Sequence, residues 1–252
     1  MILDKFRIDD HVAVVTGGSK GLGKAIAIAL AEAGADVAVV SRSNSPELEE
    51  KIKSLGRNYF HYAADLTIRD RTRLVIPAIA DKMGPIDILV NNAGIIRRAP
   101  AVDYAEDDWD ATLEIDLNAA FILSKAAGRI MLEKGRGKII NVASIISFQG
   151  GLNVAAYAAA KHGLAGLTKA LANDWAKHGV NVNALAPGFF VTKLTDALQR
   201  DPITFQSITA RIPAARWGSP EDLTGAAVFL ASPASDFVHG VTLPVDGGWM
   251  AR

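Results

Sequence analysis

The chain has 252 residues, half of them hydrophobic, which is enough for a sizeable core and too apolar for a disordered chain. Its 27 basic residues balance 27 acidic ones with no single-sign block, which argues against nucleic acid or an anionic membrane as partner and favours a small molecule. Without cysteine there is no disulfide, thiolate nucleophile or cysteine metal site; no metal is expected, and with no secretory leader pattern in MILDKFRIDD and no membrane-length apolar run the expectation is a cytoplasmic protein.

In chain order, VAVVTG from Val12 reads as a strand and KAIAIALAEAG from Lys24 as a helix. DVAVVS from Asp36 is a second strand, RTRLVIPAIADKMG from Arg71 a helix, and IDILVNNAG from Ile86 a third strand. A long helix is predicted over WDATLEIDLNAAFILSKAAGRIMLEKG from Trp109, then a strand GKIINVAS from Gly137 and a helix AAYAAAKHGLAGLTKALANDWAKHG from Ala155. VNVNALAPG from Val180 and VTLPVDGG from Val241 complete the strands. Continuous apolar strands alternating with helices predict an α/β fold: a doubly wound parallel sheet covered by helices on both faces, in one domain over residues 1–252. Residues 192–216, with RDPITFQ and RIPAARWG, break this rhythm and are expected as an irregular lid over a site at the carboxyl ends of the strands.

The first strand runs into TGGSKGLG, where Gly17, Gly21 and Gly23 fit G-x-x-x-G-x-G, with Ser19, Lys20 and Leu22 between them. Glycines there let the backbone turn tightly and let a pyrophosphate approach the amides of a helix N-terminus, as in Rossmann-type dinucleotide sites. At the end of the second strand an acidic residue would bind a ribose 2′-hydroxyl, but the chain has Ser41 and Arg42. With Lys20 they favour a 2′-phosphate, hence NADP(H) over NAD(H); the alternative is that both cations are simply solvated.

Lys161 follows Tyr157 by one helical turn and so shares its face. A phenol with pKa about 10 is hardly ionised at neutral pH, and an adjacent ammonium lowers that value by about 1–3 units, giving a usable proton donor and acceptor. Ser144 closes the fourth predicted strand, placed either to donate to a substrate carbonyl oxygen or to cap a turn. Asn118, a poor helix former inside an apolar helical run, needs a partner for its amide: a core backbone group, or a water relaying protons from Lys161.

Taken together, TGGSKGLG, Asp65-Leu66, NNAG at Asn91 to Gly94, Asn118, Ser144, YAAAK from Tyr157 to Lys161, and Pro187-Gly188 followed by Thr192 resemble the short-chain dehydrogenase/reductase family over nearly the full chain. The resemblance implies a catalytic set of Asn118, Ser144, Tyr157 and Lys161. Tyr157 would exchange the proton, Ser144 polarise the carbonyl, Lys161 lower the tyrosine pKa and bind nicotinamide ribose, and Asn118 hold a relay water. It further implies Asp65 and Leu66 at the adenine, Asn91, Ala93 and Gly94 along the cofactor, and Pro187, Gly188, Val191 and Thr192 around the nicotinamide end. Homotetramers, formed through the helices of Asn118 and Tyr157, are implied as well.

NNAGIIRR, ASIISFQGG, RIPAARWG and VDGGWMAR are most similar to the sugar-acid branch of that family, the deoxygluconate and gluconate dehydrogenases. An acid substrate needs a cation, and Arg97 or Arg98 is the candidate, with Gln149 bonding hydroxyls and Arg211 and Arg216 in the lid; the alternative is a solvated arginine pair. Reduction of 3-oxoacyl carrier protein is the competing enzymatic reading, and a dinucleotide-sensing protein the non-enzymatic one.

Overall fold

Each apolar run becomes a strand because helices cover it on both sides. The computed structural model describes residues 1–251, in which β1 (Val12–Thr16), β2 (Asp36–Ser41), β3 (Tyr59–Ala63), β4 (Ile88–Asn91), β5 (Gly137–Val142), β6 (Val180–Pro187) and β7 (Thr242–Val245) form one sheet. The order is β3-β2-β1-β4-β5-β6-β7, and every neighbouring pair is parallel. The helices are α1 (Gly21–Glu32), α2 (Pro46–Ser54), α3 (Arg69–Met83), α4 (Glu106–Leu113), α5 (Ala119–Lys134), α6 (Ala155–Trp175), α7 (Asp196–Arg200), α8 (Pro202–Arg211) and α9 (Thr224–Ala231).

Alternation along the strands divides the core into two layers. Ala13, Val15, Val37, Val39, Ile88, Val90 and Ile140 pack with Ile26 and Leu30 of α1 and with Ala227 and Leu230 of α9. Val12, Val14, Ala38, Val40, Leu89 and Ile139 pack on the other face with Val75, Ile76 and Ile79 of α3, Leu123 and Met131 of α5, and Leu171 of α6. The chain reverses its winding between β1 and β4, so a crevice opens at their carboxyl ends.

Beside the helices α2 and α9, which the sequence-based expectation did not include, three features depart from it. β3 is an additional strand: YFHYA is aromatic and polar, and as an edge strand pairing only with β2 it needs no continuous apolar run. The predicted helix from Trp109 is interrupted, α4 passing through a π turn at Glu114–Asn118 before α5, which changes the direction of the side chains there. The segment 192–216 is largely helical rather than irregular, because Asp201 caps the Ile203 amide and Pro202 opens α8. Among the described residues no helix is long and apolar enough to cross a membrane.

Candidate active site

Thr16, at the end of β1, organises the crevice. Its hydroxyl accepts hydrogen bonds from the Asn92 and Ala93 amides at 3.0 and 2.9 Å, while Asn92 Nδ2 donates to the Thr16 carbonyl at 2.8 Å. The turn after β4 is thereby clipped to the turn after β1. Gly17 and Gly23 lie against this clip: a Cβ on Gly17 would stand 2.9 Å from Asn92 Nδ2, and one on Gly23 2.4 Å from the same atom and 2.6 Å from the Gly17 carbonyl. Gly17 and Gly21 also have φ of +64° and +55°, a conformation that side chains resist. α1 begins at Gly21 and its N-cap residue, Lys20, makes no side-chain cap, which leaves the first-turn amides available to a phosphate. Ser19 and Leu22 share this turn, and Thr192 stands over Gly21, its Cγ2 3.8 Å from where a Cβ would be.

At the end of β2, Ser41 Oγ donates to the Ser43 carbonyl at 2.8 Å and meets His61 Nε2 at 3.0 Å. Arg42 and Lys20 are exposed and neither forms an ion pair among the described residues. Across from them the Asp65 carboxyl accepts from the Thr67 hydroxyl and amide at 2.7 and 3.0 Å, which holds its pKa below the usual carboxylate value, while Leu66 is buried. Ala93 and Gly94 continue the crevice beyond β4. The Asn91 side chain turns inward: its Nδ2 donates to Ser124 Oγ and Asn141 Oδ1, both at 2.9 Å, and ties β4 to α5 and β5 inside the core. Pro187 ends β6, the Gly188 amide donates to Val245, and the Val191 amide to Gly218, which carries the chain over the crevice to Thr192.

β5 delivers Ser144, whose Oγ accepts from the Ile146 amide at 3.2 Å and caps a short turn, leaving its O–H as a donor. Of the two sequence readings of Ser144, the turn cap is the one this geometry displays. α6 delivers Tyr157 and Lys161, the ammonium 5.3 Å from the centre of the phenol ring. Lys161 is 4% exposed and donates to the Val142 carbonyl at 3.0 Å. Asn118 does not meet it. The Asn118 amide donates to Glu114 Oε2 at 2.7 Å, and Glu114 is itself held by the Arg69 guanidinium at 2.9 and 2.5 Å. From that helix it is Asp116, two positions earlier, that reaches Lys161, its Oδ2 3.2 Å from Nζ. Two residues lie roughly half a helical turn apart, so only one of this pair can face α6.

Burial pushes the Tyr157 phenol above its ordinary pKa; Lys161 and Ser144 pull it back down, while Asp116 pushes with the burial. The lysine thus acts in the expected direction without setting the net sign. For Lys161 burial disfavours the charge, but Asp116 and Tyr157 outweigh it and hold its pKa up.

Next to this cluster Arg97 pairs with Asp108 at 3.3 Å. Arg98 forms no ion pair among the described residues, and its charge acts on the Tyr157 phenol. Gln149 Oε1 accepts from Trp249 Nε1 at 3.4 Å, and Trp249 packs against Phe189 and under Arg211. Arg216 is turned away into a two-pronged pair with Asp222 at 2.6 and 2.8 Å.

The family model described as enoyl-(acyl carrier protein) reductase matches residues 17–250. 2-Dehydro-3-deoxy-D-gluconate 5-dehydrogenase of Dickeya dadantii is 47% identical over the full length of both chains. This chain belongs to the short-chain dehydrogenase/reductase family. Gluconate 5-dehydrogenase of Gluconobacter oxydans is 42% identical over 97% of this chain and 96% of its own. A crystal structure of a gluconate 5-dehydrogenase from Burkholderia cenocepacia, in complex with NADP and tartrate, superposes with a TM-score of 0.96 at 41% identity, covering both chains completely.

Sequence reasoning overlooked two groups in this short-chain dehydrogenase/reductase. Asp116 carried the same signal as Asn118, a polar residue in an apolar helical run, and a carboxylate is costlier to bury than an amide. Trp249 had no such signal, since nothing in VDGGWMAR tells which loops its ring will meet.

Proposed function

We propose that the protein is an NADP(H)-linked oxidoreductase interconverting a secondary hydroxyl and a ketone on a sugar acid of the deoxygluconate or gluconate type. The observation that carries this reading is Arg98: a guanidinium without a carboxylate partner among the described residues, close enough for its charge to act on the phenol of a Ser-Tyr-Lys cluster. A cation so placed suits an anionic substrate whose reacting oxygen sits at Tyr157. Arg97 is paired with Asp108 and is the weaker candidate for this role.

A dinucleotide held in this crevice would supply or accept the hydride. The amides of Ser19, Gly21, Leu22 and Gly23 would hold its pyrophosphate, Lys20, Ser41 and Arg42 a 2′-phosphate, Asp65 and Leu66 the adenine, and Ala93, Gly94, Val191 and Thr192 the nicotinamide half. In reduction Tyr157 gives its phenolic proton to the carbonyl oxygen as the carbon receives hydride; oxidation is the reverse. The Ser144 hydroxyl donates to the same oxygen, and Lys161 counters the charge left on the phenolate. The helical segment at 192–216 closes over the substrate, and Gln149 and Trp249 form the wall it closes against. We read the protein as a cytoplasmic homotetramer, a reading supported by exposed Trp109 on α4 and Phe121 on α5, and tested by light scattering, where a monomer would overturn it.

The test is the initial rate of NADPH and NADH oxidation with a 3-deoxy-2,5-diketohexonate and, in parallel, an acetoacetyl thioester. Fast turnover of the diketo acid with NADPH is the expected result. Turnover of the thioester alone would replace the sugar-acid reading with acyl reduction.

A further inference from the structure

The Asp116 carboxylate is 1% exposed and has no place in the chemistry described so far. A buried carboxylate is costly unless it is partnered, and the one charged partner of this carboxylate among the described residues is the lysine of the proton-exchange site. Oδ1 accepts from the Ile95 amide at 2.8 Å, and Oδ2 lies 3.2 Å from Lys161 Nζ. The backbone makes room for it at Gly94, where a Cβ would stand 2.8 Å from Oδ2. Lys161 is fixed from the opposite side by the Val142 carbonyl at 3.0 Å. We propose that Asp116 is a positioning residue of the proton-exchange site, holding the Lys161 ammonium between β5 and Tyr157 and offsetting its charge.

The charged and titratable groups whose fields act on the Tyr157–Lys161 pair are Asp116 from the π turn and Arg98 from the loop after β4, with the Ser144 hydroxyl from the end of β5. Glu114, on the same turn as Asp116, is engaged by Arg69 and Asn118 instead. Removing the negative charge nearest the pair makes its first proton easier to lose, whether that proton leaves oxygen or nitrogen. The pair lacking that proton is the species that accepts the proton of an alcohol.

Asp116→Asn keeps the size of the side chain and an acceptor for the Ile95 amide while removing the charge. Its kcat/KM profile for alcohol oxidation is expected to rise at a pH about 1 unit below that of the unsubstituted protein. Any secondary alcohol that is turned over serves, so the outcome does not depend on the sugar-acid reading. A difference titration of the two cofactor-free proteins, followed as proton release between about pH 7 and 11, reads the same shift without catalysis. Asp116→Ser, which removes the charge without adding bulk, is read in the same way should the asparagine variant not fold. Superimposable profiles at whatever rate, or a shift to higher pH, would overturn the proposal and leave Asp116 a packing residue.

Discussion

The Arg211 guanidinium lies 4.0 Å from the centre of the Trp249 ring, joining the last turn of α8 to the short turn at Trp249–Ala251. Trp249 is buried and donates from Nε1 to Gln149, so three distant segments meet at one indole. A cation over an aromatic face is worth about 0.5–1 kcal/mol when partly exposed. Arg211→Leu should therefore raise the KM for the sugar acid about 2–5-fold and leave dinucleotide affinity unchanged. Steady-state kinetics beside fluorescence titration of NADPH separate the two; an equal loss in both would mean that α8 does not serve the substrate.

The two adjacent arginines should behave differently. A hydrogen bond to a charged group contributes about 1.5–3 kcal/mol, so Arg98→Ala should raise the KM for the acid about 10–100-fold and hardly alter that for a neutral ketone. Arg97→Ala breaks only an exposed pair with Asp108 and should change either value less than about 3-fold. Reversed effects would move the carboxylate to Arg97.

Cofactor choice is expected to rest on Lys20 and Arg42. Replacing either with Ala should raise the KM for NADPH about 10-fold with that for NADH unaltered, each cation contributing one charge-assisted contact to a 2′-phosphate. Gly23→Ala is the harsher change, since its methyl would meet both Asn92 and the Gly17 carbonyl. Isothermal titration should find no dinucleotide binding in a protein that remains folded.

Tyr157→Phe should lower kcat in both directions by about 10²–10⁴-fold, the usual weight of a positioned proton donor, with dinucleotide affinity kept. Retention of more than about a tenth of the activity would place proton transfer elsewhere.

Acid should weaken the anchorage of the segment after α8. Asp222 accepts from Arg216 and from the Ser219 amide, and Arg216 holds its carboxyl well below the usual carboxylate value. A depressed folded-state pKa contributes stability that is present above the unfolded value of about 3.9 and disappears as pH falls through the folded one. Asp222→Asn should therefore lower the Tm by a few degrees at neutral pH, with the difference from the unsubstituted protein closing below about pH 4. A difference that persists unchanged to low pH would assign the effect to lost capping geometry.

The sequence by itself determined the sheet, the glycine turn and the tyrosine-lysine helix, because these depend on local periodicity and spacing. Continuous apolar runs admit strands buried on both faces, and Lys161 one turn after Tyr157 shares its face in any regular helix. What lay beyond local pattern was decided by the tertiary structure. YFHYA becomes β3 only because the edge of β2 is available to pair with it. Asp116 and Asn118 are two equally odd polar residues in one helical run, and a π turn beside α6 selects the carboxylate to face Lys161 and sends the amide to Glu114. Arg97 and Arg98 are alike in sequence and separate only when Asp108 comes within reach of one of them. Such choices depend on which side chain gains a partner across a long loop, and a charge's partner in space is set by the packing of whole elements rather than by its neighbours in the chain.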